Sequence, residues 1–267
     1  MNVAVIGCGY WGRKYVRVLQ ELEHNVLRVD ALCTDGDMWN DHRRLTRTVA
    51  DAAIVATPAS THAAIVCDLL SAGIPTLVEK PMALSVADAE SMMAAAQKTD
   101  TRLAVANVFR FYDFGRLPVG LQSIDVAWQG GAGPRADCDV FWDMAPHTID
   151  LCNMLFNPRH CSNANIDAHI DSYGLLILDY EEGLHAVVLV DWEKRLAGEN
   201  RRTLSCEGQG WRTRFLLNNM NPFGGSEPLK LMIYGFLSGK LPDEHHCRPE
   251  DGLEVVRILE MAHAKQE

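Results

Sequence analysis

Residues 3–12 read Val3-Ala4-Val5-Ile6-Gly7-Cys8-Gly9-Tyr10-Trp11-Gly12, a short apolar run stopped by a G-x-G-x-x-G pattern. From Trp11 to Leu22 the apolar residues Val16 and Leu19 and the Tyr15/Leu22 pair recur at helical spacing, so a strand, a glycine turn and a helix follow one another. Each glycine then has its own task. Gly7 makes the tight turn, Gly9 lets a pyrophosphate approach the backbone, and Gly12 lets the helix pack closely on the strand. The phosphates sit on the helix N-terminus, with Tyr10 and Trp11 as the side chains that the loop carries beside them. A glycine turn chosen for packing alone is the competing reading, and the strand before and helix after it weigh against that.

Outward from this stretch the alternation continues. Leu27 to Cys33, Ala52 to Ala56, Pro75 to Val78 and Leu103 to Ala106 read as strands, with helices predicted at Thr61 to Ala72 and Val86 to Gln97. Gly73 closes the first of these helices, and Ser85 with Asp88 three residues later opens the second. Repeated strand and helix imply a parallel sheet with both faces covered. After Phe111 the texture changes. Ile124 to Trp128 is strand-like, Pro146 to Leu155 is a helix opened by its proline, and from residue 166 strands and turns alternate as in hairpins. Leu229 to Leu237 and Gly252 to Ala264 read as closing helices. The expected fold is an α/β Rossmann domain over residues 1–110. An α+β domain with a mixed, largely antiparallel sheet is expected over 111–267.

The chain has 267 residues, 48% hydrophobic and 22% charged, as folded proteins have, and a formal charge of −10. An acidic surface repels phosphate backbones and anionic lipid, and no basic arm offsets it, which excludes nucleic acid and membrane as expected partners. The eight cysteines include no C-x-x-C pair and lie in apolar stretches, as buried thiols of a reduced compartment do. His245-His246-Cys247 reads as a polar loop, because adjacent histidines point to different sides of most backbones; no metal is expected. Residues 2–7 lack the basic flank and long apolar core of a signal peptide, and no stretch approaches the ~20 apolar residues of a membrane span. A cytoplasmic protein is the expectation.

Three constellations carry chemistry. An acid that binds ribose belongs about 20 residues beyond the glycines, at the tip of the second strand. Asp30 falls within the expected strand, leaving Thr34 and Asp35 at its end; Thr34 is neutral and Arg43 and Arg44 are near, so a 2′-phosphate stays compatible. Glu79-Lys80-Pro81 ends an apolar strand at the rim where open α/β sheets place ligands, and a lysine there can hold a hydroxyl or carbonyl. Asp143, His147 and Asp150 form the third. On a helix begun near Pro146, His147 and Asp150 lie about 60° apart, away from the apolar stripe. Histidine suits proton transfer near neutral pH, and a carboxylate within reach fixes its tautomer.

The ordered set of G-x-G-x-x-G, Ala56-Thr57-Pro58 with Thr61-His62, Glu79-Lys80-Pro81, Arg110-Phe111 and Asp143-Met144-Ala145-Pro146-His147-Thr148-Ile149-Asp150 resembles the Gfo/Idh/MocA oxidoreductases. The resemblance runs from Val3 into the last helix. It implies a nicotinamide cofactor, NAD or NADP, a second sheet with an open face used for dimerisation, and a homodimer or homotetramer. It assigns Lys80, Asp143 and His147 to catalysis, and Thr57, Pro58, His62 and Glu79 to the cofactor. Arg110 and Asp150 go to a sugar-like substrate. By the same resemblance the Lys80-Pro81 bond is expected to be cis. The expected reaction is hydride transfer between nicotinamide and a secondary alcohol or ketone of a sugar, polyol or nucleotide-linked sugar. Departures from the pattern keep other classes open. The stretch from Asp35 to Ala52 is too short for the family's helix, strand and helix, and Phe111 to Ile124 is trimmed. A nicotinamide-binding sensor or assembly protein without turnover is one alternative. A reductase of a non-sugar carbonyl, imine or alkene is the other.

Overall fold

The structure, a computed structural model, describes residues 1–32, 39–114, 119–130, 135–157, 160–170, 172–193, 201–217, 227–240 and 247–266. Its helices are α1 (Tyr10–Glu21), α2 (His62–Ser71), α3 (Val86–Thr99), α4 (Val140–Phe156), α5 (Pro228–Ser238) and α6 (Pro249–His263). Two compact units are present. Met1–Phe111 and Ser226–Leu253 form the first, and Tyr112–Gly225 and Glu254–Glu267 the second. The first unit thus holds more than a continuous N-terminal stretch, because α5 brings Leu229, Met232, Ile233 and Phe236 into one buried cluster with Val3, Val5, Tyr15 and Leu77.

In the first unit β1 (Asn2–Ile6), β2 (Asn25–Val29), β3 (Ala52–Val55), β4 (Thr76–Val78) and β5 (Leu103–Val105) form one sheet in the order β2-β1-β3-β4-β5. Every pairing in it is parallel. Sequence explains this: Ala52-Ala53-Ile54-Val55 and Leu103-Ala104-Val105 are apolar without alternation, as strands covered on both faces are. Ser85 starts α3 by accepting a hydrogen bond from the Asp88 amide at 3.1 Å. Between β2 and β3 the described chain forms a single bridge from Trp39 to Val29 and a 3-10 turn at His42–Arg44, in keeping with the short segment there.

In the second unit β6 (Leu121–Gln129), β7 (Cys161–Ile170), β8 (Tyr173–Tyr180), β9 (His185–Asp191), β10 (Arg201–Gly208) and β11 (Trp211–Leu216) form a sheet in the order β11-β10-β6-β9-β8-β7. It is antiparallel except where β6 meets β9, so the mixed sheet expected from sequence is found. Strand β8 alternates buried and partly exposed residues along its length, the mark of a sheet with one covered face, and α4 packs against β6, β8 and β9.

Three local expectations are corrected. The second strand ends at Val29, not Cys33. Strand β7 begins at Cys161, where no strand was expected, because bulges at Cys161/Asn163 and Ile166/Ala168 break its alternation. Helix α4 begins at Val140, two turns earlier than expected, and Pro146 lies inside it. Its N-cap is Asp139, whose carboxylate accepts from the Phe141 and Trp142 amides at 2.9 and 3.0 Å, so the helix is already under way when the proline is reached. Among the described residues no helix is long and apolar enough to cross a membrane.

Candidate active site

The first unit presents the glycine loop as the sequence requires. Gly7 has φ +86°, and a Cβ there would come within 2.7 Å of the Ala56 carbonyl oxygen. A Cβ on Gly12 would lie 1.8 Å from the Gly7 oxygen, so strand and helix approach as closely as backbones allow. Above Gly9 the space is open to 4 Å. Gly9 caps α1 without a side chain and the first turn holds no acid, so an anion finds the amides and dipole of the helix start uncontested by a carboxylate. A pocket of about 490 Å³ adjoins the loop, lined by Cys8, Gly9, Arg13, Val16, Arg28, Asp30 and Leu32. Tyr10 is exposed and Trp11 partly buried, and the Lys14 ammonium lies 4.3 and 4.0 Å from their ring centroids.

Asp30, set inside the strand by the sequence reading, is the first residue beyond β2. Its carboxylate accepts from the Cys8 amide at 2.8 Å and from the Leu32 amide at 3.0 Å. The acid at the strand tip is therefore Asp30; Thr34 and Asp35 lie outside the described residues, as do His245 and His246. The nearby arginines have other partners. Arg43 grips both oxygens of Asp41 at 3.0 Å, holding that carboxyl down to about 2, and the Arg44 guanidinium lies 5.1 Å from the Trp39 ring.

At the carboxyl ends of β3 and β4 a second set of contacts fixes the rim. The Lys80-Pro81 bond is cis, as expected. His62 is buried, its Nδ1 2.9 Å from the Pro81 oxygen and its Nε2 3.0 Å from the Thr57 oxygen, so it ties the two strand ends together from behind. Thr61 Oγ1 donates within the same loop, toward Thr57 Oγ1 and the Pro58 oxygen at 2.8 and 2.7 Å. Glu79 is buried and accepts from the Tyr15 hydroxyl at 2.6 Å and the Lys80 amide at 3.1 Å. Burial pushes the Glu79 carboxyl up, and the Tyr15 hydrogen bond and Lys80 charge only partly offset that. Burial and the Glu79 charge raise Tyr15 well above the ordinary phenol range, so it remains a donor. Arg110, assigned by the resemblance to the substrate, is buried with its guanidinium 3.1 Å from Asp251.

The second unit carries the acid–base candidates on α4. Asp143 and His147, four residues apart, share a helix face. Asp143 accepts from the Trp192 indole at 2.8 Å and lies 3.4 Å from an Arg135 nitrogen. His147 is 6% exposed, its ring stacked on Trp128 with centroids 5.2 Å apart and planes 20° from parallel. Asp150 is buried too, at 1%. This corrects the expectation that His147 and Asp150 point away from the core: α4 is buried around nearly its whole girth. Tyr15, Trp128, Arg135 and Trp192 were missed in the sequence; Arg135 lies 8 residues from its partner Asp143, and the other three pairings span 19 to 64 residues.

Residues 1–107 match a family model, that of the Gfo/Idh/MocA oxidoreductases, described as an oxidoreductase family with an NAD-binding Rossmann fold. Residues 1–107 are thus similar to the NAD-binding Rossmann domain of the Gfo/Idh/MocA oxidoreductases. The chain is similar to a D-apiose dehydrogenase of Paraburkholderia graminis, 25% identical over 240 residues, which are 73% of this chain and 62% of that protein. It is also similar to the myo-inositol dehydrogenase Hyg17 of Streptomyces leeuwenhoekii, 31% identical over 181 residues, 58% of this chain and 55% of the relative. The matched part thus spans less than two thirds of either dehydrogenase. The solved UDP-N-acetylglucosamine 3-dehydrogenase GnnA of Acidithiobacillus ferrooxidans has the same fold, with TM-score 0.82 and 20% identity over 99% of this chain and 97% of that one.

Proposed function

We propose that this protein is a Gfo/Idh/MocA-type NAD(P)-dependent dehydrogenase or reductase of a secondary alcohol or ketone in a sugar, polyol or nucleotide-linked sugar. The observation that carries the reading is the Glu79-Lys80-Pro81 turn, held from behind by His62 and Tyr15 at the carboxyl edge of the parallel sheet, where folds of this type bind ligands. The residues present fit a dinucleotide. Gly7, Gly9 and Gly12 leave room for a pyrophosphate at the start of α1, and Asp30 offers a carboxylate for ribose hydroxyls. A carboxylate repels a 2′-phosphate, which favours NAD over NADP, though Arg13 and Arg28 line the same pocket.

The nicotinamide supplies hydride acceptance or donation at its ring carbon. His147 takes the hydroxyl proton in the oxidative direction and returns it in reduction. Lys80 hydrogen-bonds the reacting oxygen, and Asp143 holds a neighbouring hydroxyl. Glu79, Thr57 and Pro58 shape the cofactor side, and Asp150 and Arg110 support the substrate side from buried positions. The similarity to dehydrogenases of apiose, inositol and a UDP-sugar supports the substrate class. We further propose a cytoplasmic homo-oligomer assembled through the less covered face of the second sheet.

The test is a titration of tryptophan fluorescence with NADH and with NADPH, followed by turnover on D-apiose, myo-inositol and UDP-N-acetylglucosamine. We expect saturable binding, tighter for NADH, and turnover on a member of this substrate class. His147→Ala should then lower turnover by ~10² or more with cofactor affinity unchanged. Binding of neither nucleotide would replace this reading with that of a protein without turnover.

A further inference from the structure

In the mixed sheet Arg202 on β10 stands directly opposite Trp128 on β6, so the two side chains share one face. Trp128 is 6% exposed; the His147 imidazole stacks on its indole with centroids 5.2 Å apart, and the Arg202 guanidinium carbon lies 4.4 Å from the ring centroid. The indole face is negative and attracts a cation. Acting alone, it would stabilise a protonated His147, the wrong form for a group that must take a proton. A guanidinium on the same ring draws on that negative face, and its charge disfavours a second cation nearby. Among the described residues, Asp143 and Asp150 lie about one turn to either side of His147 on α4, and Arg135 faces Asp143. The two carboxylates favour the imidazolium. Arg202 is the counterweight.

We propose that Trp128 and Arg202 are positioning residues for His147: the indole fixes the plane of the imidazole, and the guanidinium keeps it neutral and ready to accept a proton. This rests on the acid–base role given to His147 above, but its central measurement does not need the substrate.

The experiment is histidine-selective NMR on the full chain, with the His147 signals assigned by their loss in His147→Gln. In the wild type, His147 ring protons should be shifted upfield by the indole. Arg202→Gln should raise the His147 titration midpoint by roughly half a unit or more, about threefold in its protonation constant, while Arg202→Lys holds the midpoint near the wild type. Trp128→Leu should abolish the upfield shift and Trp128→Phe retain part of it. Because Trp128 is buried, the Arg202 pair decides the matter even if Trp128→Leu fails to fold. A midpoint unmoved by Arg202→Gln, or moved as far by Arg202→Lys, overturns the inference. If His147→Ala leaves turnover intact, the catalytic reading fails separately, and the NMR result then describes a histidine outside the mechanism.

Discussion

The Asp139/His263 pair fastens the start of α4, and its loss has a magnitude that can be worked out. Asp139 caps the helix with one oxygen and accepts from His263 Nε2 at 2.7 Å with the other, while His263 Nδ1 lies 2.7 Å from the Leu259 carbonyl. Both ring nitrogens face acceptors, an arrangement that the doubly protonated imidazolium satisfies fully. Burial alone would lower the His263 pKa, but the Asp139 hydrogen bond, the Leu259 carbonyl and the Asp139 charge raise it above its ordinary 6.5. Burial would raise Asp139, yet the bonds from His263 and the Trp142 amide bring it below 3.8.

The signs are opposite for the two groups. His263 contributes stability that is full below about pH 6.5 and fades as pH rises through its folded value. Asp139 contributes stability present above about pH 3.8 and lost as pH falls through its folded value. The pair therefore works best between about pH 4 and 6.5. Replacing Asp139 by Ala removes a cap worth about 1 kcal/mol and a partly exposed ion pair worth about 1 kcal/mol, roughly 2 in all. Asp139→Asn keeps the cap and costs about 1, as does His263→Gln, and the double variant should cost little more than either single one. Urea unfolding of the wild type and these four variants at about pH 5.5 and again near pH 9 measures this. A coupling near zero at the lower pH, or equal at both, would refute the ion pair. Equal losses from the Asn and Ala variants would refute the cap.

Three further outcomes follow from the first unit. Gly12→Ala should abolish NADH binding in the fluorescence titration, since its Cβ would lie 1.8 Å from the Gly7 oxygen. Tyr15→Phe removes the hydroxyl that serves buried Glu79 and should lower stability by about 1–3 kcal/mol in urea melts near pH 7. Asp30→Asn should weaken NADH more than NADPH, measured by the ratio of their dissociation constants, whereas Arg43→Ala should leave that ratio unchanged because Arg43 is held by Asp41.

Local signals made the first unit legible. The glycine loop, the apolar strands and the Ser85 cap each lie within a few residues of what they determine. Asp30 was misplaced because a strand end is a small local choice: its carboxylate accepts from the amide two residues on and turns the chain there, an Asx-type turn that outweighs the β-branched run before it. Helix α4 was read too short because Pro146 looks like a beginning, although the cap that decides the matter is Asp139, seven residues earlier. Trp128 and Arg202 were invisible as partners of His147, since only the register of β6 against β10 brings them together.

The sheet of the first unit is sealed by a helix that is synthesised more than a hundred residues after its last strand. Val3, Val5 and Leu77 share their buried cluster with Leu229, Met232 and Phe236, and the whole six-stranded sheet is synthesised in between. At translation rates of about 5–20 residues per second, the nucleotide-type sheet waits on the order of ten seconds for α5, with an apolar flank open to whatever else is present in the cell. The order of synthesis and the order of burial thus run against each other.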